Sequence, residues 1–186
     1  MVHIERLNIF ELDEVIDLFV ECFEKDRYFA EEFKNKPNKK ELLREMATPT
    51  IECCVSSGFS YGIVNNGKLV AFLLAFDYHY IRVHYPDLFD NIFSGNIKHE
   101  NDIIFGELQR IGGHTLYIIG LGVDAKYRRR GYAETMLLQF LNLYASWNIA
   151  ADVTSIYMEQ LCMREAFNVI PLAPDYYFVV KKGNSY

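Results

Sequence analysis

The sequence predicts an α/β (α+β) chain whose helices pack on a single sheet, and three observations predict it. Segments with strand character alternate with segments of helical period in the order β-α-α-β-β-β-α-β-α-β-β. Two β segments, 59–64 and 69–76, flank Asn65-Asn66-Gly67-Lys68, and Asn-Gly tolerates the positive φ angles of a tight hairpin turn, so these two strands are antiparallel. Finally, residues 116–123 form an apolar run without polar alternation, which suits an interior strand covered on both faces. A charged loop and an amphipathic helix follow it.

Taken in order, residues 3–7 form a short strand. Asn8 and Glu11 make a capping-box pattern that opens an amphipathic helix through Phe23, with Leu12, Val15, Ile16, Phe19, Cys22 and Phe23 as its core stripe. The polar stretch 24–36 carries no clear pattern. Pro37 and Asn38 start a second helix with Glu41 three residues after the cap, and it is expected to stop before Pro49, because a residue preceding proline avoids the helical region.

The hairpin comes next, and then the irregular connection 77–113. It carries Tyr78, Tyr80, Tyr85, Phe89, Phe93 and Phe105 beside Asp77, Asp87, Asp90, Glu100, Asp102 and Glu107. A connection this long is functional or contains its own helix, and one short helix is expected near 87–93. Beyond the apolar strand, Ala133, Met136, Leu137, Phe140, Leu141 and Tyr144 share one helical stripe, while Glu134, Thr135, Gln139 and Asn142 take the other face. A strand at 150–155, a helix at 158–165 and strands at 169–172 and 176–181 complete the chain.

With 186 residues, the chain is expected to be one domain, 1–186, with a substantial core. A net charge of -6 and a pI near 5.4 argue against nucleic acid as a general partner and favour a cationic substrate. No apolar run is long enough to span a membrane, and MVHIERLNIF lacks a basic segment followed by an apolar one, so a cytoplasmic location without membrane attachment is expected. Cys22, Cys53, Cys54 and Cys162 form no C-x-x-C pair, which argues for buried free thiols and against a metal site or a disulfide framework.

Chemistry concentrates in the loop after the apolar strand. Arg128, Arg129 and Arg130 stand immediately before a helix, whose first turn has free N–H groups and the positive end of a dipole; the combination attracts phosphate. Gly131 lets the backbone approach a bulky anion, and Ala133 keeps the first turn small. Arginines alone would read as a solvated surface, but their strand-loop-helix context favours a site. Residues 120–125 also match the dinucleotide fingerprint G-x-G-x-x-A, yet a true one opens its helix at that turn, whereas here charged residues intervene and the helix begins near Tyr132.

The element order, together with V-D-x-x-Y-R-x-x-G-x-A at 123–133, resembles the GCN5-related N-acetyltransferase (GNAT) superfamily. The resemblance implies the acyl-CoA N-acyltransferase fold: a mixed, mostly antiparallel sheet of about six or seven strands with about four helices, splayed between strands 4 and 5. It implies acetyl-CoA as the donor and coenzyme A as product, with pyrophosphate bound by backbone N–H groups of Arg128, Arg129, Arg130, Gly131, Tyr132 and Ala133. It implies further that Leu121, Gly122 and Val123 hold the pantetheine arm by main-chain hydrogen bonds, as an added strand would be held. The acceptor is then a primary amine of a small molecule or peptide, attacking directly in a ternary complex; a homodimer is the expected assembly.

Attack requires a neutral amine and protonation of the departing thiolate. Family members usually place a Tyr acid in the helix after the fifth strand, within N-x-x-A-x-x-L-Y-x-x-x-G-F. The matching residues here are Ser155, Met158, Leu161, Cys162, Ala166 and Phe167, so Cys162 stands where the Tyr is usual, Ser155 where the Asn is, and Ala166 where the Gly is. A thiol with a pKa near 8.5 can donate to a thiolate, which makes Cys162 the candidate acid. Tyr117, His114 and Glu107 are the candidate bases. The altered acid position also supports an alternative, a non-catalytic acyl-CoA-binding sensor or assembly module. The acidic, aromatic connection 77–113, with the first two helices, is the expected acceptor apparatus.

Overall fold

The structure, a computed structural model, describes residues 2–26, 29–30, 33–93 and 98–184. Its strands are β1 (Val2–Arg6), β2 (Tyr61–Asn65), β3 (Lys68–Asp77), β4 (Thr115–Val123), β5 (Asn148–Val153), β6 (Asn168–Ala173) and β7 (Tyr176–Lys181). They follow the order β1-β2-β3-β4-β5-β7-β6 in one sheet. The β1–β2, β2–β3, β5–β7 and β6–β7 pairs are antiparallel and β4–β5 is parallel, the mixed sheet that the resemblance implies. The α-helices among the described residues are α1 (Leu12–Phe23), α2 (Lys39–Ser57), α3 (Tyr78–His84), α4 (Pro86–Phe93), α5 (Lys98–Ile111), α6 (Tyr132–Leu143) and α7 (Ile156–Arg164). Among them none is long and apolar enough to cross a membrane.

The chain divides into two compact units, Met1–Phe76 with Ile119–Phe140 and Asp77–Ile118 with Leu141–Tyr186. In the first, the hairpin turns on Asn66 (φ 53°) and Gly67 (φ 75°), the two positive angles its sequence favours. The capping box forms: Asn8 accepts from the Phe10 N–H at 2.9 Å and Glu11 accepts from the Asn8 N–H at 2.9 Å. It opens a single 3-10 turn, Ile9–Glu11, ahead of α1. The buried side of α1 holds Val15, Ile16 and Phe19 as expected and adds Leu18 and Val20, while Leu12, Cys22 and Phe23 are half-buried.

Two expectations about the second helix are corrected. Instead of ending before Pro49, α2 runs through it. Pro49 lies on the exposed side, and so does Glu45, whose carbonyl a proline four residues later leaves without its helical N–H partner and open to water. The buried stripe of Leu43, Ala47, Ile51, Cys54 and Val55 continues past the proline, so packing outweighs one lost hydrogen bond. Asn38, for its part, has φ 58° and makes no side-chain cap, so the Asn38–Glu41 capping box does not form.

In the second unit, the helix expected near 87–93 is α4, and α3 and α5 flank it. The Asp77 carboxylate caps α3, accepting from the N–H groups of His79 (3.0 Å) and Tyr80 (3.1 Å). Asn101, Ile104 and Leu108 form the buried stripe of α5, and the Asn101 amide donates to the Phe93 carbonyl at the end of α4. Rings of these helices stack into a cluster with β4: Tyr78–Phe89 at 5.4 Å, Phe93–Phe105 at 5.2 Å and Phe93–Tyr117 at 5.3 Å between centroids. The aromatic content of this connection is therefore core as much as surface.

Candidate active site

β4 changes character along its length. Thr115, Leu116, Tyr117 and Ile118 are all buried, but from there Ile119, Leu121 and Val123 are half-exposed while Gly120 and Gly122 are buried, so only the first half is covered on both faces. The two glycines make room for an aromatic layer. A Cβ on Gly122 would lie 2.5 Å from the Phe72 ring and 2.9 Å from Cys22 Sγ, and one on Gly120 would lie 3.2 Å from the Phe19 ring. The glycine pattern at 120–122 thus serves packing, while the half-exposed Leu121 and Val123 face the other way.

The end of β4 is pinned from several sides. Asp124 N–H donates to the Val70 carbonyl at 2.9 Å, and the buried Asp124 carboxylate accepts from the Lys126 N–H (2.9 Å) and from Lys68 Nζ (3.0 Å). The Lys126 N–H, more than Lys68, holds the Asp124 pKa below the ordinary carboxylate value against the opposing effect of burial. The Val123 carbonyl accepts from Arg128 Nε at 3.1 Å and from Cys22 Sγ–H at 3.6 Å. Burial raises the Cys22 thiol pKa, and Arg128 partly offsets it.

The arginine loop uses its side chains to hold itself. Arg128 reaches back to Val123; Arg130 donates to the Lys126 carbonyl at 3.3 Å and lies over the Tyr127 ring at 4.9 Å. Arg129 (φ 61°) and Gly131 (φ 79°) both adopt left-handed conformations, so the backbone curls before α6. The bond from Thr135 N–H to the Gly131 carbonyl (2.9 Å) closes the first turn, which leaves the preceding N–H groups as the ones a helix start offers to an outside acceptor. A Cβ on Gly131 would meet nothing within 4 Å, so the loop faces open space. Clustered N–H groups, a helix start and three guanidinium groups suit a large polyanion such as a diphosphate.

Leu121, Gly122, Val123, Arg128, Arg129, Arg130, Gly131, Tyr132 and Ala133 are thus brought together in the first unit. The other candidates lie in the second. Ser155 precedes α7 and is exposed; its hydroxyl does not cap the helix. Cys162 is buried in α7, and burial, then Glu165, raises its pKa to about 11. Ala166 (φ 60°) ends that helix in a left-handed conformation that favours glycine, with Phe167 N–H donating to the Cys162 carbonyl at 3.0 Å. His114 is exposed and packs against Trp147, and Glu107 pairs with Arg110 at 2.5 Å.

Tyr117 is buried, and its hydroxyl faces a residue the sequence reading passed over. Desolvation pushes the pKa of Asp152 on β5 up to about 6, while the neighbouring hydroxyls of Tyr117 and Tyr176 act the other way and favour its ionised form. One side of Asp152 is nevertheless open to water. Asp152 is the exposed residue of β5, standing between the buried Ala151 and Val153. The signal for it in the sequence was a lone acid within the apolar strand Ile149-Ala150-Ala151-Asp152-Val153.

Comparison with known proteins decides the family. The model of the acetyltransferase (GNAT) family matches residues 12–158. The chain belongs to the GNAT acetyltransferase family. As a GNAT enzyme, it is an N-acetyltransferase dependent on acetyl-coenzyme A. No curated protein matches it by sequence. Among solved structures, arylalkylamine N-acetyltransferase 2 from Aedes aegypti is similar at 14% identity over 98% of this chain and 99% of that one, with a TM-score of 0.70. The polyamine N-acetyltransferase of Drosophila melanogaster, described as forming N-acetylagmatine, is 14% identical over 98% and 100% with a TM-score of 0.65. A PaiA N-acetyltransferase from Thermoplasma acidophilum, in complex with coenzyme A, is 11% identical over 98% and 99% with a TM-score of 0.60. These likenesses establish the acyl-CoA N-acyltransferase fold for this GNAT chain.

Proposed function

We propose that the chain transfers the acetyl group of acetyl-coenzyme A to a primary amine of a small molecule or peptide, by direct attack in a ternary complex, with residues 1–186 acting as one catalytic domain. The observation that carries this reading is the loop after β4, which ties the side chains of Arg128 and Arg130 back onto the protein and presents a curled backbone at a helix start. The backbone N–H groups of residues 128–133 hold the pyrophosphate, with Arg129 adding positive charge from its exposed position. Leu121 and Val123, half-exposed along β4, offer main-chain hydrogen bonds to the pantetheine arm. When bound, acetyl-coenzyme A supplies a thioester, an acyl group activated toward an amine.

Tyr117 belongs to the catalytic apparatus through its place on β4 and its contact with Asp152. Cys162 stays protonated at neutral pH, as a donor must, but passing a proton from a thiol of pKa about 11 to a thiolate of ordinary pKa, near 8.5, is uphill by about 3 kcal/mol. Its contribution is therefore modest, and positioning of amine and thioester supplies most of the rate. Ser155, with its hydroxyl free of capping duty, is the remaining cofactor contact. Similarity to amine acetyltransferases such as the arylalkylamine and polyamine enzymes supports an amine acceptor.

The test is calorimetric binding of acetyl-coenzyme A, coenzyme A and NAD to the native chain and to Gly131→Val. The native chain is expected to bind both forms of coenzyme A in preference to NAD. Valine strains a left-handed backbone position and fills the open space before the loop, so coenzyme affinity is expected to fall at least about tenfold while the chain stays folded. Preference for NAD, or equal coenzyme binding by the variant, would overturn the site.

A further inference from the structure

We infer that Asp152 binds the ammonium group of the acceptor and acts as its proton acceptor, with Tyr117 and Tyr176 as positioning residues. This rests on the amine-acetylation reading above and names the residue that meets the amine. The register of the sheet places the three side chains together. Tyr117 on β4 pairs with Ala150 on β5, and side chains alternate along a strand, so Tyr117 and Asp152 project from the same face as diagonal neighbours. Asp152 pairs with Phe178 on β7, which puts Tyr176, two residues away, on that face as the diagonal neighbour from the other side.

Position along β5 adds a second reason. The parallel β4–β5 pairing extends from Thr115↔Asn148 to Ile118↔Ala151, so Asp152 is the first β5 residue past the stretch zipped to β4. Tyr117 is backed by Tyr78 of α3 and Phe93 of α4, a buried aromatic cluster that holds its ring in place. Among the described residues, no lysine or arginine pairs with Asp152. The titratable groups facing it are Tyr117 and Tyr176, with Tyr78 behind Tyr117 and Arg82 beside Tyr78. An exposed carboxylate with a tyrosine on either side and no counter-cation is complementary to a primary ammonium group.

The chemistry balances without a further reactant. The ammonium nitrogen gives one proton to the Asp152 carboxylate, which returns it to water. As the neutral nitrogen forms its N–C bond and the C–S bond breaks, the nitrogen loses a second proton, which ends on the thiol product. A carboxylate with a pKa of about 6 is better matched to accept a proton near neutrality than one at the ordinary value of about 4.

The experiment compares the native chain with Asp152→Asn and Tyr176→Phe, using agmatine, tyramine and spermidine as acceptors. It measures kcat/KM from pH 5 to 9, acetyl-coenzyme A affinity by calorimetry, and melting. For the native chain, kcat/KM is expected to rise through an apparent pKa of about 6. Asp152→Asn should lose that limb and at least about a hundredfold in kcat/KM, with acetyl-coenzyme A affinity unchanged. Tyr176→Phe removes a donor to the ionised carboxylate, so its limb should move to higher pH. Asparagine activity within about threefold of native and with the limb intact would overturn the role of Asp152 while leaving amine acetylation standing. A native chain that binds acetyl-coenzyme A but acetylates none of the amines would overturn both. If the asparagine variant fails to melt cooperatively, Tyr176→Phe decides, and an unmoved limb rejects the inference.

Discussion

Gly122 leaves no room for a methyl group. Its Cβ would fall inside contact distance of Phe72 and Cys22, and the ring it meets is itself buried against Phe19 and Phe23, so the neighbours cannot give way freely. Gly122→Ala is expected to cost about 1–3 kcal/mol and to lower Tm by several degrees in a thermal melt; an unchanged Tm would mean that the aromatic layer is looser than its geometry. At this scale the sequence is legible where chemistry is local: Arg128 to Ala133 are contiguous, and their strand-loop-helix context makes them candidates. The group Tyr117, Asp152 and Tyr176 was not legible, since three strands bring it together and no spacing within one segment announces it. The acids of 77–113 drew attention instead, yet Asp77 caps a helix and Glu107 pairs with Arg110.

α7 ends on Ala166 in a conformation that costs a side-chain-bearing residue roughly 1–2 kcal/mol, at the position where the family usually has glycine. Ala166→Gly removes that strain but adds backbone freedom to the unfolded chain, for a net gain of about 0.5–1 kcal/mol and a Tm about 2 °C higher. A lowered Tm would show that the methyl group's packing outweighs the strain. Elements with strong periodicity, α1 and α6, and the Asn-Gly hairpin were readable from the sequence because local preference and tertiary need agree there. The helices α3 and α5 were hidden: one is short and rich in aromatic and β-branched residues, and the other places Asn101 in its buried stripe. Pro49 misled for the complementary reason, since a buried stripe on one face can sustain a helix through an exposed break on the other.

For the molecule as a whole, the element order and one motif sufficed to predict the fold, because seven strands and their sequence separations leave few arrangements that avoid crossings and exposed edges. The family match over residues 12–158 spans parts of both compact units, while Cys162 and Tyr176 lie beyond it. The strand order has a consequence for biosynthesis. β7, though last in sequence, sits between β5 and β6, paired to both. As the chain emerges from the ribosome, β5 keeps a bare edge until β7 arrives beside it, and Tyr176 is among the first residues of β7. A chain stopped after Asp175 is expected to accumulate as insoluble aggregate on expression; a soluble, cooperatively melting product would refute this. Covering of the β5 edge and delivery of the second tyrosine to Asp152 are thus one event, so a nascent chain acquires the proposed amine-binding group only when β7 is in place.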